Sequence, residues 1–217
     1  YGAAETPEPW QPPTLAAQTL NALLARREAL CQDIQREQNR HEKTRFALNT
    51  PATVLDSIAQ TLEFLNRQLG ALEKEIDQHI DSDPTLKHND QLLRSIKGVG
   101  PRVAQRMNAL MSSHRFKSAE ALAAYIGLTP CERLSGSSVR GKTRLSKKGP
   151  AQLRHLLFMP AIVAKTHNPH VKAIYARLIA KGKPKMSAIG AAMRKLVHLC
   201  FGVLHSGKPY SPEWKHV

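Results

Sequence analysis

Aromatic residues are scarce: 5 Phe, 4 Tyr and 2 Trp in 217 residues, 5% of the chain. A core drawn from this sequence is therefore aliphatic, and an aliphatic, ring-poor composition favours helices over strands. The hydrophobic fraction of 41% is large enough to build one. Cysteine is nearly absent. Cys31, Cys131 and Cys200 stand far apart, with no C-x-x-C pair. That excludes a disulfide framework and a zinc-finger spacing, and it reads as reduced thiols in a cytosolic protein. No run of about 18 apolar residues occurs, so no membrane span is predicted. The opening "YGAAETPEPWQPPT" is polar and proline-rich, unlike a secretory signal. It also lacks an initiating Met, which predicts a fragment or a processed product.

The scarcity with most consequence is that of acid in the second half. Residues 94–217 carry three carboxylates, Glu120, Glu132 and Glu213, against 23 Lys and Arg. Residues 1–93 carry 14 Asp and Glu against 9 Lys and Arg. The net charge of +15 is thus concentrated in the second half, and such asymmetry points to a nucleic-acid partner. A two-metal hydrolytic site needs clustered carboxylates, which residues 94–217 cannot supply unaided. The acids of the first half sit on helix faces beside Lys or Arg, as solvated flanks do. His167 and His170 are three apart with no further ligand near them, so no metal site is assigned. Gly141-Lys142-Thr143 is not read as a phosphate-binding P-loop, because no strand is expected to lead into it.

Periodicity predicts a mainly α fold: a long coiled-coil helical hairpin followed by a helical domain with a helix-hairpin-helix element and a catalytic loop. Residues 1–13, with four prolines, form an extended arm. Residues 14–91 form the coiled-coil linker. Thr14 caps a first helix running to about Leu48, with Leu20, Leu23, Leu24, the Arg27 stem, Leu30 and Ile34 inward. Asn49-Thr50-Pro51 breaks it. Leu55, Ile58, Leu62, Leu65, Leu69, Leu72 and Ile76 then recur at alternating steps of three and four, a heptad seam that Asp83-Pro84 ends. The seam fits either an antiparallel hairpin within one chain or a contact that dimerises two chains.

Residues 92–217 form the basic domain. "LLRSIKGVGPRVAQRMNAL" (92–110, within an element spanning 92–112) reads as helix, tight turn and helix, with Pro101 in the first turn of the second. Gly98 and Gly100 let backbone amides approach a phosphate, and Lys97 and Arg102 flank them. Such a contact positions a nucleic-acid backbone without reading its sequence; an ordinary αα-corner is the other reading. Ser118 caps a short helix with Ala121, Leu122 and Tyr125 inward, stopped by Gly127. Helices over about 151–166, 170–180 and 186–204 follow, and 131–146 is the one place for a small hairpin.

That place overlaps the loop 131–149. Its "LSGSSVRGKTRLSKKG" holds five Ser and Thr, and with Arg133 the loop offers six cations: Arg133, Arg140, Lys142, Arg144, Lys147 and Lys148. A serine can attack a phosphodiester when cations neutralise the developing charge and a base takes its proton. Ser135, just before Gly136, has the room to do so. Glu132 is the one carboxylate close by in sequence, so a base would come from elsewhere. A phosphate-binding or flexible basic loop is the competing reading.

"SIKGVGPRVAQRM", the motif "SGSSVRGKTRLSKKG" with "LR" after it, then "HNP", "KGKPK" and "MRKLVH", resembles the C-terminal part of insertion-sequence-110 family transposases, and especially the insertion-sequence-1111 subgroup. The likeness covers roughly residues 14–210. It implies a DNA recombinase whose serine matches Ser135, with Ser137 and Ser138 as alternatives, and whose phosphate contacts extend to Arg154. It also implies an N-terminal RNase H-like domain with four acidic ligands for a divalent metal such as Mg, which these residues lack; no cofactor is expected in this chain itself. The partners implied are DNA, a guide (bridge) RNA, and further copies in a homodimer or tetramer, with no membrane. The implied setting is the bacterial cytoplasm, on the nucleoid when bound.

Overall fold

A computed structural model of the chain describes residues 12–135 and 139–214, and for 133–135 and 139–143 the backbone alone. The fold is mainly α. Among the described residues there are eight helices and one two-stranded sheet, in two compact units that part between Leu86 and Lys87.

The first unit is a helical hairpin. α1 (Leu15–Phe46) starts where Thr14 Oγ1 accepts from Ala17 N (3.3 Å). It buries Ala17, Leu20, Leu24, Arg27, Leu30 and Ile34, all before its midpoint or just past it; Leu23, expected inward, is only half-buried. Arg27 takes a seam position by laying its aliphatic stem along the apolar stripe. Asn49, at φ 61, turns the chain, and Thr50 Oγ1 donates back to Thr44 O (3.0 Å). α2 (Ala52–Ser82) returns antiparallel, since His79 Nε2 near its end donates to Ala16 O (2.8 Å) near the start of α1. Within one chain the heptad seam is covered unevenly. Ile76 is fully buried, whereas Leu55, Ile58, Leu62, Leu65, Leu69 and Leu72 are only half-buried. The facing stretch of α1 beyond Ile34 is polar, so the apolar residues nearest the bend lack an apolar partner. At the bend Phe46 and Leu48 are 79% and 94% exposed.

α3 (Pro84–Arg94) follows at once, because Asp83 Oδ1 accepts from Leu86 N (2.9 Å) and Pro84 occupies a first-turn position that needs no N–H donor. In the second unit a tight turn leads to α4 (Pro101–Ser113), and buried Asn108 ties the two helices by accepting from Asn89 Nδ2 (3.2 Å). α5 (Ala119–Ile126) is capped by Ser118 Oγ, which accepts from Ala121 N (3.2 Å), and stops at Gly127 with φ 80. Its inner face differs from the expected one. Leu122, Ala123 and Ile126 are buried, while Ala121 is exposed and Tyr125 is 40% exposed. The helix stops at Gly127 as expected, but its buried stripe runs through Leu122, Ala123 and Ile126, and Leu128 follows them into the core, which leaves the Ala121 and Tyr125 ridge outside.

Strands β1 (Pro130–Ser135) and β2 (Val139–Leu145) form an antiparallel hairpin. Then come α6 (Ala151–His167), α7 (Pro169–Ala180) and α8 (Lys185–Ser206). α8 packs against α5, α6 and α7, and its Ala188, Ala192, Leu196, Leu199, Cys200 and Val203 form the centre of the unit. By length and composition α8 would pass for a membrane span, although it holds no unbroken apolar run of that length; half of its apolar window is buried in this core. Burial also pushes the Cys200 thiol up to about 12, so it stays neutral packing.

Two glycines give opposite predictions. Gly149 has φ 125, and a Cβ there would come within 2.0 Å of Tyr125 O; Gly70, within α2, has open space. Gly149→Ala should cost about 2 kcal/mol or more in urea unfolding. Gly70→Ala should stabilise by roughly 0.5–1 kcal/mol. A Gly149→Ala protein as stable as the parent would mean that the turn does not sit on α5.

Candidate nucleic-acid interface

The serine loop is a β-hairpin with its base locked to the helical core. Pro130 pairs with Leu145, Cys131 with Arg144, Arg133 with Gly141, Leu134 with Arg140 and Ser135 with Val139, with a bulge between Cys131 and Arg133. At the base, Ser146 N donates to Thr129 O (2.9 Å) and Lys147 N to Gly127 O (3.2 Å). Arg154 Nη1, from the first turn of α6, donates to both Ile126 O (3.0 Å) and Gly149 O (2.9 Å). Leu145 rests against α8 at Gly190, where an added Cβ would lie 3.0 Å from its Cδ1. Arg154 therefore staples the exit turn to the end of α5 in addition to adding charge. Lys147 adopts φ 54, which the bonded turn imposes.

This register divides the cations that the sequence places together. Arg140 lies one pair from Ser135, near the far end of the hairpin. Arg144, Lys147 and Lys148 are exposed at its base. Five residues of strand separate the two ends, about 16 Å at 3.3 Å per residue. Arg133 and Lys142 fall between, with their backbones placed. Ser137 and Ser138 lie outside the described residues. The letters Gly136–Thr143 do have the spacing G-x4-G-K-T, but Gly141-Lys142-Thr143 run inside β2. A P-loop needs them to open a helix whose free amides cradle phosphate, and a strand commits its amides to the ladder instead.

The glycine turn between α3 and α4 makes a second cationic edge. Lys97, Gly100 and Arg102 are exposed and Val99 is buried. Gly98 has φ 105, and a Cβ there would meet Ala164 Cβ at 2.7 Å, so packing against α6 already demands this glycine. Gly100 has nothing within 4 Å of an added Cβ, and α4 carries no side-chain cap. The open side of the turn is therefore Gly100 and the first turn of α4.

Asn168 holds this turn in place, a residue that sequence reading passed over. It is fully buried between α6 and α7. Its Oδ1 accepts from His170 N (3.1 Å), Val171 N (3.3 Å) and the Tyr210 hydroxyl (3.1 Å), while Nδ2 donates to Lys97 O (3.3 Å). Tyr210 N in turn donates to Ser95 Oγ (2.8 Å). His170 lies within bonding distance of the Tyr210 hydroxyl and Trp214 O, 2.7 Å each. The available signal was Asn directly before Pro, the pattern of a helix N-cap. Asn168→Ala removes a cap and takes from the Lys97 carbonyl and the Tyr210 hydroxyl the partner that Asn168 gives each of them. It should cost about 2–4 kcal/mol in thermal or urea unfolding, and a loss below about 1 kcal/mol would show that the network does not support the turn.

A third cationic group lies on α8. Arg194 Nε donates to His198 Nε2 (3.4 Å), and Glu120 Oε1 sits 3.9 Å from His198 Nδ1. Burial, then the Arg194 charge, hold the His198 pKa below the usual histidine value, with Glu120 opposing; burial also lowers that of Lys195. Among the described residues no three His, Cys, Asp or Glu side chains meet.

Residues 90–176, spanning the glycine turn, the hairpin, α6 and most of α7, match the model of the transposase IS116/IS110/IS902 family. Over 212 residues, 97% of the chain, the protein is 31% identical to the pilin gene-inverting protein of Moraxella bovis and 30% identical to that of Moraxella lacunata. It covers 64% of the length of each, so it spans somewhat less than two thirds of these relatives. An uncharacterized 43.6 kDa protein of insertion element IS110 from Streptomyces coelicolor is 29% identical over 72% of the chain and 38% of its own length.

Proposed function

We propose that this chain is the linker and serine-loop portion of a DNA recombinase that carries out transposition or site-specific inversion. The observation that carries the reading is the family match over 90–176, which coincides with the cationic hairpin and the glycine turn. The names of the Moraxella relatives point the same way, toward DNA rearrangement.

In the proposed chemistry, Ser135 Oγ attacks a DNA phosphorus. A P–Oγ ester forms, the P–O bond to the leaving strand breaks, and the leaving oxygen takes up a proton. Rejoining reverses these steps with a new strand end as nucleophile. Arg140 pairs with Leu134, next to Ser135, and Arg133 lies two residues before Ser135 on the same strand. Arg133, Lys142, Arg144, Lys147 and Lys148, with Lys97, Gly100 and Arg102, would hold backbone phosphates. The proton acceptor and a divalent metal such as Mg would come from the acidic RNase H-like domain that the resemblance implies. Placement in the insertion-sequence-1111 subgroup, guidance by a bridge RNA and action on the bacterial chromosome rest on the same resemblance. For dimerisation, the support is the half-buried seam from Leu55 to Leu72. A fully buried leucine contributes about 1.5–3 kcal/mol, and a second copy would recover what one chain leaves exposed. The alternative, a dimeric DNA- or RNA-binding module without chemistry, needs the same cations but not the serine.

Two measurements test these readings, and the first separates them. With the acidic domain supplied, a DNA adduct should form and map to Ser135, and Ser135→Ala should abolish it; adduct at parental level in that variant rejects the nucleophile. For duplex DNA, log affinity should fall with log salt at a slope near about −5 for some six phosphate contacts, and Lys147→Ala/Lys148→Ala should make the slope shallower by about two. A slope near zero rejects both readings.

A further inference from the structure

Three of the chain's few rings converge at the surface beside the base of the hairpin. His114 and Phe116 stack at 5.9 Å with 21° between planes. His114 lies 5.3 Å from Tyr125, and Phe116 meets Tyr125 edge-on at 5.4 Å. Phe116 is half-buried against the core and anchors the group, whereas His114 is exposed and Tyr125 is 40% exposed. His114 Nδ1 donates to Leu110 O (3.3 Å), which orients its ring. The segment between the first two rings carries exposed Arg115, and Lys117 follows directly. The main chain of Tyr125 is the seat of the turn after the hairpin: Gly149 packs on its carbonyl, and exposed Lys147 and Lys148 are held there through Gly127.

We infer that His114, Phe116 and Tyr125 form a stacking platform for an unpaired nucleobase of single-stranded DNA or RNA. Flat rings exposed among cations are the two components of single-strand recognition: stacking on the base and attraction to its phosphate. A base inside a duplex has no free face to offer, so the ligand is an unstacked nucleotide. This inference rests on the nucleic-acid reading above and adds to it a site for the unpaired nucleotides that strand exchange exposes.

The test uses the whole chain with fluorescein-labelled single strands of roughly 12 nucleotides, one of DNA and one of RNA, and a DNA duplex of equal length. Tyr125→Leu, which keeps an apolar side chain and removes the ring, should weaken single-strand binding about tenfold or more and leave duplex binding within about twofold; Tyr125→Phe should bind like the parent. Dependence on Tyr125 in only one of the single-strand arms identifies which nucleic acid is held. Equal loss on duplex and single strand, or no loss on either single strand, overturns the platform. On the unaltered protein, photocrosslinking with 5-iodouracil-substituted strands should give adducts at Tyr125, His114 or Phe116, and adducts confined to other residues overturn it as well. If the unaltered chain binds none of the three probes, the nucleic-acid reading itself falls; if it binds the duplex with the expected salt slope but shows no Tyr125 dependence, only the platform does.

Discussion

Arg154 Nη1 reaches two carbonyls at once, Ile126 O at the end of α5 and Gly149 O at the end of the serine hairpin. The base of the hairpin has a defined position relative to the helical core because of that pair of hydrogen bonds and the close seat of Gly149 on Tyr125 O. A charge-assisted bond to a carbonyl contributes about 1.5–3 kcal/mol, more than an exposed ion pair. The arginine is therefore worth more as a staple than as one extra surface charge. An isolated two-stranded hairpin is marginal in water, and this one needs its base tied down if a residue near its far end is to be presented to a ligand.

The glycine turn obeys the same logic from the other side of the unit. Gly98 is pressed onto Ala164, and Asn168 links the carbonyl of Lys97 to the start of α7 and to Tyr210. α6 thus carries Arg154 at one end and Ala164 near the other, with Asn168 just beyond. One helix holds both cationic edges, and its spacing relates the hairpin to the turn. The buried polar group is expensive to place, and it is retained because its side chain takes part in four hydrogen bonds.

Much of the architecture was legible in the letters. Thr14, Ser118 and the Pro101 first turn announced helix starts, Gly127 a stop, and the three-four spacing a long amphipathic helix. Tyr125 misled: read on the inner face of α5, it lies outward because the buried stripe runs through Leu122, Ala123 and Ile126. Asn168 was missed since its meaning depends on Lys97 and Tyr210, far away in sequence. The seam of α2 could be read as apolar, yet not how far α1 would cover it.

The sequence by itself determined the helices, the acidic-to-basic shift and the identity of a serine- and cation-rich loop, because periodicity, capping and charge are local properties. Only the tertiary structure decided that Ser135 and Lys147 stand at opposite ends of a hairpin. It also decided that Gly98 serves packing while Gly100 stays open, that Arg154 is a staple, and that three rings meet beside that hairpin's base. Each of these depends on distances between segments remote in the chain, and those distances follow from strand register and helix packing.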